Sequence, residues 1–151
     1  GTIQIDFNVP DRLGAKYKDK DDKNQVPIMI HRAVVGSLER FIAIILENTN
    51  GWLPLFVTPM QLAILPVSEK FVDHSNQIKE KLQQLGVRTI VDSSDNKLGY
   101  KIRNSVSKKI PYSLVMGEKE IESKSFTLRS NEGKNTSFDD IKLLSNFFVS
   151  N

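Results

Sequence analysis

Residues 61–92, QLAILPVSEKFVDHSNQIKEKLQQLGVRTIVD, predict a strand, a helix and a second strand. The run from Gln61 to Val67 is mostly apolar, as in a strand that is covered on both faces. Ser68 is a candidate N-cap, and apolar residues then recur at helical spacing as far as Gly86, a candidate C-cap. Residues 87–92 predict the second strand. A strand–helix–strand unit of this length implies parallel pairing and a right-handed crossover.

The same alternation of strands and helices continues to the end of the chain. Residues 97–109 predict a helix, residues 112–115 and 125–129 predict two strands, and Ser137 is expected to cap a last helix. We therefore expect a small α/β domain over residues 60–151, with a mixed sheet and about three helices.

Residues 1–48 predict too few elements to close a core of their own. Ile3, Ile5 and Phe7 alternate with polar residues, which is typical of a half-buried strand. A polar stretch over 16–25 predicts a hairpin tip, followed by a returning strand over 26–30 and an amphipathic helix over 34–46. We expect this region to be the tail of a larger sheet. Residues 49–59 contain two prolines and predict a linker that packs against something through its apolar side chains.

The composition is that of a globular protein. The chain has 151 residues, of which 39% are apolar and 26% are charged. No apolar run approaches the ~20 residues of a membrane span, so no membrane partner is expected. The absence of cysteine excludes a disulfide framework and a thiolate metal site. Because no signal-peptide pattern is present either, we expect a cytoplasmic protein.

The net charge of +3 comes from the second part of the chain. Residues 1–50 hold seven basic and seven acidic residues, whereas residues 51–151 hold fourteen basic and eleven acidic ones. The segment 97–109, KLGYKIRNSVSKK, carries five basic residues and no acid. On a helical wheel, one sector collects Lys97, Lys101 and Lys108, which predicts an exposed cationic edge that could neutralise RNA phosphates. An ordinary solvated helix face is the alternative.

Most catalytic patterns are missing from the sequence. It contains no glycine-rich phosphate loop, and its two histidines, His31 and His74, lie in different predicted regions without partners at ligand spacing. His74 is expected to have a structural or solvent-facing role on its amphipathic helix.

The segment 28–40, IMIHRAVVGSLER, resembles motif 3 of the class II aminoacyl-tRNA synthetases, in which a strand leads into a helix with an ATP-binding arginine. The form HRA-x-x-GS-x-ER is similar to that of the threonyl-tRNA synthetase family. Residues 1–7 (GTIQIDF), 99–103 (GYKIR), 111–115 (PYSLV) and 117–120 (GEKE) resemble the same family in the same order. The resemblance implies that residues 1–48 are a β-hairpin and helix from the end of an antiparallel-sheet catalytic domain. It also implies a mixed-sheet α/β anticodon-binding domain over residues 60–151.

The resemblance implies roles for residues of the catalytic part. Arg40 would contact the ATP phosphates and act in catalysis, and Thr2 and Ser37 would contact the nucleotide. Gln4 would also act in catalysis, facing threonine and the acceptor end of the tRNA. His31 would be one of three zinc ligands, the other two being a Cys and a His upstream of this chain. The intact enzyme is thus expected to use zinc and ATP with magnesium and to be a homodimer, while this chain alone should hold no cofactor.

In the anticodon-binding part, the resemblance implies base contacts by Asp95, Lys109, Glu120 and Arg129, and phosphate contacts by the cationic edge. Glu120 and Arg129 retain the residue types of the family, whereas Asp95 stands where Asn is expected and Lys109 where Arg is expected. Asp has no amide donor, and Lys cannot make a planar bidentate contact. Asn96 is the alternative to Asp95 through a register shift. Tyr100 could stack on a base, and burial in the core is its alternative.

We therefore expect a tRNA(Thr)-binding part of an enzyme that joins threonine to tRNA(Thr) with ATP, without catalytic activity of its own. Two alternatives stay open. One is a free-standing RNA-binding or regulatory module derived from a synthetase tail. The other is a general anion-binding or partner-binding α/β domain that uses the basic helix as its contact.

Overall fold

The computed structural model describes residues 1–123 and 125–150. The chain divides into two compact units, a first unit of Gly1–Asn48 and a second unit of Thr49–Asn151. Within the described ranges, no helix has both the length and the apolar character needed to cross a membrane.

The first unit consists of two strand pairs and two helices. Its elements are β1 (Thr2–Asp6), α1 (Val9–Arg12), β2 (Tyr17–Lys18), β3 (Asn24–Gln25), β4 (Met29–Ala33) and α2 (Leu38–Asn48). β1 pairs with β4 in antiparallel fashion, and β2 and β3 form the hairpin expected from the polar stretch.

Two elements of the first unit begin later than the sequence predicts. The returning strand is Met29–Ala33 rather than 26–30, because Pro27 has no N–H for a strand hydrogen bond. The helix begins at Leu38 rather than at residue 34 because Gly36 has φ +72°, outside the right-handed helical region. Ser37 follows this break, and its Oγ accepts a hydrogen bond of 3.3 Å from the backbone N–H of Arg40.

The second unit is a five-stranded mixed sheet with helices on both faces. Its elements are β5 (Leu62–Pro66), a 3-10 turn (Glu69–Phe71), α3 (Val72–Gln84), β6 (Thr89–Val91), α4 (Leu98–Ser107), β7 (Tyr112–Met116), α5 (Glu118–Ser123), β8 (Phe126–Ser130), β9 (Asn135–Phe138) and α6 (Ile141–Val149). The strand order is β6-β5-β7-β8-β9. β5 is parallel to β6 and β7, and β8 is antiparallel to β7 and β9. The predicted mixed α/β sheet is confirmed.

Apolar side chains of alternating strand positions form a core on each face of this sheet. The larger core lies under α3 and α6 and contains Leu62, Ile64, Ile78, Leu82, Val87, Leu114, Met116, Phe126, Leu128, Leu144 and Phe148. The smaller core contains Ala63, Leu65 and Ile110, against which Leu98 and Ile102 of α4 pack. α4 therefore covers the β5 part of its face.

The predicted linker over residues 49–59 is an integral part of the second unit. Leu55 packs against the larger core. The Arg88 guanidinium donates from Nε to the carbonyl of Thr58 at 2.9 Å and from Nη2 to the carbonyls of Leu55 and Phe56 at 3.1 and 3.0 Å. These bonds tie the proline-rich segment to the sheet.

Of the three capping residues predicted for helices in the second unit, one caps its helix as expected and two do not. Gly86 ends α3 with φ +87°, and the N–H of Val87 donates to Leu82 at 2.9 Å, as in a Schellman-type end. Ser68 precedes the 3-10 turn but makes no capping hydrogen bond. The last helix is capped by Asp140, and Ser137 instead lies in β9, which the sequence did not predict. The described part of this unit holds four helices where about three were expected.

Candidate nucleic-acid interface

The α4 side of the sheet is only partly covered. Directly opposed residues of neighbouring strands share a face, so the row Ala63–Ser113–Arg129–Asn135 lies on the α4 side. α4 packs over Ala63, whereas Arg129, Asn135 and Ser137 are exposed and Thr127 is half-buried. We call Thr127, Arg129, Asn135 and Ser137 the open face.

The open face presents hydrogen-bonding groups beside one cation. The hydroxyls of Thr127 and Ser137 lie 3.1 Å apart, so the two strands share one hydrogen bond there. Arg129 Nη2 lies 3.6 Å from the point that a Cβ at Gly133 would occupy, and Gly133 has φ +85°. The turn between β8 and β9 therefore runs close to the guanidinium. Single-stranded RNA bases are recognised by such edge hydrogen bonds and by guanidinium planes.

Glu120 is held at the carboxyl end of β7. Its Oε2 accepts a 3.0 Å hydrogen bond from the N–H of Gly117, the residue before α5, in the manner of a capping box. Gly117 is four residues beyond Ser113, which is opposite Arg129, so the Glu120 carboxylate lies about 13 Å further along the strand. Three stacked nucleotides span about 10 Å. At about 3.4 Å per nucleotide, the separation of about 13 Å corresponds to about four stacked nucleotides, so an RNA loop must extend beyond three nucleotides to contact both Glu120 and Arg129.

Lys109 ends α4 in an unusual backbone conformation. Its φ is +58°, a region that costs a residue with a side chain about 1–3 kcal/mol. Its Nζ lies 4.7 Å from the centre of the Trp52 ring. Lys109 precedes β7 at the end of the sheet where Tyr112 pairs with Ser130, next to Arg129 in the strand. The sequence did not connect Trp52 with this position, because nothing in the spacing of the two residues predicts their contact.

Asp95 lies at the other end of α4 from Lys109. The helix has ten residues and therefore separates the two by about 15 Å. Asp95 is exposed, while the Nδ2 of Asn96 donates to Ser94 Oγ at 3.0 Å. Ser94 in turn donates to Asp92 Oδ1 from its N–H at 3.1 Å and from its hydroxyl at 2.6 Å. The loop before α4 is thus ordered by its own side chains, and both candidate residues border a cavity of about 330 Å³.

Lys101 is not part of an exposed cationic edge, and that expectation is wrong. Only 4% of its surface is exposed, and its Nζ donates to the carbonyls of Pro66 and Asp92 at 3.0 and 3.1 Å. On the helical wheel it lies between the cationic sector and the buried sector that contains Leu98 and Ser105. Lys97 and Lys108 are exposed as expected. The cationic edge therefore consists of those two lysines.

A groove of about 470 Å³ lies between α4 and the edge strand β6. Its floor is apolar, and Tyr100, Asn104 and Lys108 line it together with Asp92. Tyr100 is 50% exposed, so it is available for stacking and does not lie in the core. Partial burial raises the pKa of Asp92, but the hydrogen bonds from Ser94 and the charges of Lys101 and Lys108 outweigh it, and the pKa is lower than usual.

In the first unit, three predicted site residues share one face of the β1–β4 pair. Gln4 is directly opposite His31, and Thr2 is two residues from Gln4 on the same face. His31 Nε2 lies 3.7 Å from Asp6 Oδ2. Backbone N–H groups of Val9 and Asn8 lower the pKa of Asp6, and His31 adds a smaller effect in the same direction.

These residues do not form a complete zinc site. Across residues 1–123 and 125–150, no three His, Cys, Asp or Glu side chains converge where they could hold a metal ion. His31 and Asp6 supply two donor groups, fewer than the three protein ligands typical of a catalytic zinc. Any complete site would need donors from outside the described residues.

Ser37 and Arg40 lie together at the beginning of α2. Ser37 Oγ donates to Glu39 Oε2 at 2.8 Å and accepts from the Arg40 N–H. The backbone N–H of Glu39 and the Ser37 hydroxyl lower the pKa of the Glu39 carboxyl. Arg40 is exposed in the first turn, where its guanidinium can reach an anionic ligand.

The sequence model of the family described as "Anticodon binding domain" matches residues 61–145, which is more than half of the chain. The chain belongs to the anticodon-binding domain family. Ahead of this anticodon-binding domain, residues 1–49 match the model described as "tRNA synthetase class II core domain (G, H, P, S and T)".

Named relatives agree with the threonyl-tRNA synthetase resemblance, which is confirmed. The chain is 48% identical over 129 residues to a threonine–tRNA ligase of Phocaeicola vulgatus, covering 85% of this chain and 20% of that protein. It is 47% identical over 132 residues to the threonine–tRNA ligase of Petrotoga mobilis, and the match covers 87% of this chain and 21% of that protein. The chain containing this anticodon-binding domain thus spans about one fifth of the length of these curated relatives.

A solved structure has the same arrangement of elements. The RNA binding domain of threonyl-tRNA synthetase from Cryptosporidium parvum superimposes with a TM-score of 0.80 at 35% identity. The match covers 98% of this chain and 38% of that one. It therefore includes both the anticodon-binding domain and the residues ahead of it.

Proposed function

We propose that residues 60–151, which follow the linker segment 49–59, bind the anticodon loop of tRNA(Thr). They would do so as part of an enzyme that joins threonine to this tRNA with ATP. The observation that carries the proposal is the placement of Glu120 and Arg129 on adjoining elements, about 13 Å apart along β7, with Arg129 on an uncovered polar sheet face. The names of the relatives and the RNA-binding structural neighbour support the same function.

The chemistry of the side chains indicates which contacts each would make. The Arg129 guanidinium can donate two parallel hydrogen bonds to a base edge, and Glu120 can accept from an exocyclic amino group. Lys109 offers a single cation, and Asp95 only accepts hydrogen bonds. Lys97 and Lys108 are exposed cations on the helix beside this surface and would contact phosphates.

In the proposed enzyme, residues 1–48 are the end of the catalytic domain. Gln4 and Thr2 occupy one face of β1, where they would contact threonine and the nucleotide, and Ser37 and Arg40 would bind ATP with its magnesium. His31 lies opposite Gln4 and would serve as one zinc ligand, with the others supplied from elsewhere in the protein. By the same resemblance, we propose that the whole enzyme is a cytoplasmic homodimer.

The test is a titration of the 151-residue chain with anticodon stem–loops. A stem–loop with a threonine anticodon should bind more tightly than the same stem–loop with substituted anticodon bases. Equal affinity for all of them, with a steep dependence on salt, would leave only phosphate binding and would support the general anion-binding alternative.

A second assay concerns the catalytic part. Because this chain contains one strand pair of the proposed catalytic sheet, we expect no threonine-dependent pyrophosphate exchange when it is incubated with ATP and magnesium. Exchange above the level of an Arg40→Ala variant would contradict this expectation.

A further inference from the structure

Lys109 occupies a position that usually favours glycine. It ends α4 with φ +58°, its N–H donates to Val106 at 2.9 Å, and the N–H of Ile110 donates to Ser105 at 3.0 Å. Glycine is the common residue at such a helix end, since it has no Cβ to strain the left-handed conformation. Lysine at this point carries a backbone cost that glycine would not, which draws attention to the contacts of its side chain.

A tight turn presents the Trp52 ring to this lysine. The N–H of Trp52 donates to the carbonyl of Thr49 at 2.9 Å, and Asn50 and Gly51 both have positive φ, +49° and +78°. Two such residues in succession form the type I′ turn that Asn-Gly favours. A Cβ at Gly51 would be 3.4 Å from Lys109 Cε, so this glycine lies against the lysine stem.

The ring and the turn together restrict where the ammonium can be. Lysine has a flexible four-carbon stem, and its ammonium is a point charge without the planar fork of arginine. Nζ lies 4.7 Å from the ring centre and the stem lies against Gly51, and together these contacts favour one direction for the charge of an exposed residue. The charge therefore lies at the end of the sheet that also carries Arg129.

We propose that Trp52 is a positioning residue that directs the Lys109 ammonium toward one nucleotide of the anticodon loop. This inference rests on the proposed function. It gives the linker segment 49–59 a role in base selection, because Trp52 would act through Lys109. The ring would act by favouring one direction for a single cation that has no planar fork of its own.

The experiment uses stem–loops in which each anticodon base is replaced in turn. The variants are Trp52→Leu, which removes the aromatic face, Trp52→Phe, which retains one, Lys109→Met and the double variant. Lys142→Met removes an exposed cation from α6 on the opposite face of the sheet and is the matched control for charge. Trp52 is the single tryptophan of the chain, so its fluorescence reports directly on contact with Lys109 and with RNA.

We expect Trp52→Leu to lower discrimination about two- to fivefold at one anticodon position, the same position that Lys109→Met affects. Trp52→Phe should retain most of the discrimination. In the double variant, Trp52→Leu should lower discrimination no further than Lys109→Met alone. Lys109→Met should also change the Trp52 emission in the absence of RNA. Circular dichroism melting checks that the variants are folded.

Two results would overturn the inference in different ways. If the wild-type chain discriminates among anticodons and Trp52→Leu discriminates equally well, or loses affinity for all stem–loops alike, Trp52 does not position Lys109 for base selection. If the wild-type chain shows no discrimination at all, the proposed function fails and this inference fails with it.

Discussion

The Lys101 ammonium lies 3.0 Å from the carbonyl oxygen of Pro66, the last residue of β5. The same group donates to the carbonyl of Asp92 just after β6 at 3.1 Å. One buried cation therefore joins α4 to the carboxyl ends of two parallel strands. The bond to Asp92 is made where the loop that carries Asp95 and Asn96 begins.

Replacing Lys101 by Met should lower the free energy of unfolding by about 1–3 kcal/mol, because two carbonyl groups lose their charged donor. Urea denaturation measures this difference. Lys97→Met is the control, since this exposed lysine at the N-cap of the same helix makes no capping hydrogen bond with its side chain and should change stability by less than about 0.5 kcal/mol. Equal stability of the two variants would show that the buried ammonium does not support the fold.

Replacing Lys97 or Lys108 by Met should weaken the binding of all RNA stem–loops by the same factor. Each exposed lysine would contact a phosphate, so its loss should reduce the slope of log affinity against log salt by about 0.7. Titrations at several salt concentrations measure that slope, with Lys142→Met as the control. A loss that depends on the anticodon bases would place these lysines at the bases instead.

The stability of the second unit should depend on the ionisation of Asp92. Its folded-state pKa lies below the usual 3.8, so the ionised carboxylate stabilises the fold above that pH. This contribution should be lost as the pH falls through the folded pKa. Asp92→Asn should therefore destabilise the wild-type chain most near neutral pH, and the difference should shrink below pH 3.8. Urea unfolding of both chains, from neutral pH to below pH 3.8, measures the difference in their free energies of unfolding. A difference that does not change with pH would show that ionised Asp92 does not stabilise the fold.

Strands and helices were predicted correctly where the spacing of their apolar residues reflects which side chains are buried in the core. The run around β5 and the helical spacing of α3 led to correct elements, since both pack on one continuous core. β9 was missed because Asn135–Phe138 is a polar edge strand without an alternating apolar pattern. β9 is a strand because it pairs with β8, and this pairing cannot be read from the local sequence.

For the candidate site, the sequence named residues by resemblance but did not give their geometry. Family resemblance named Glu120 and Arg129, but the distance between them follows from the β7–β8 register, which spacing does not reveal. Lys101 was misplaced because helical periodicity locates a residue only to within a sector. The contact of Trp52 with Lys109 depends on tertiary packing of a predicted linker.

The central claim is that Arg129 and Glu120 recognise anticodon bases. The most direct measurement is the ratio of affinities for threonine-anticodon and substituted stem–loops, taken for the wild-type chain, Arg129→Ala and Glu120→Ala. We predict that each variant loses about 1–3 kcal/mol of discrimination while its affinity for substituted stem–loops changes little. An unchanged ratio in a folded Arg129→Ala variant would contradict the account.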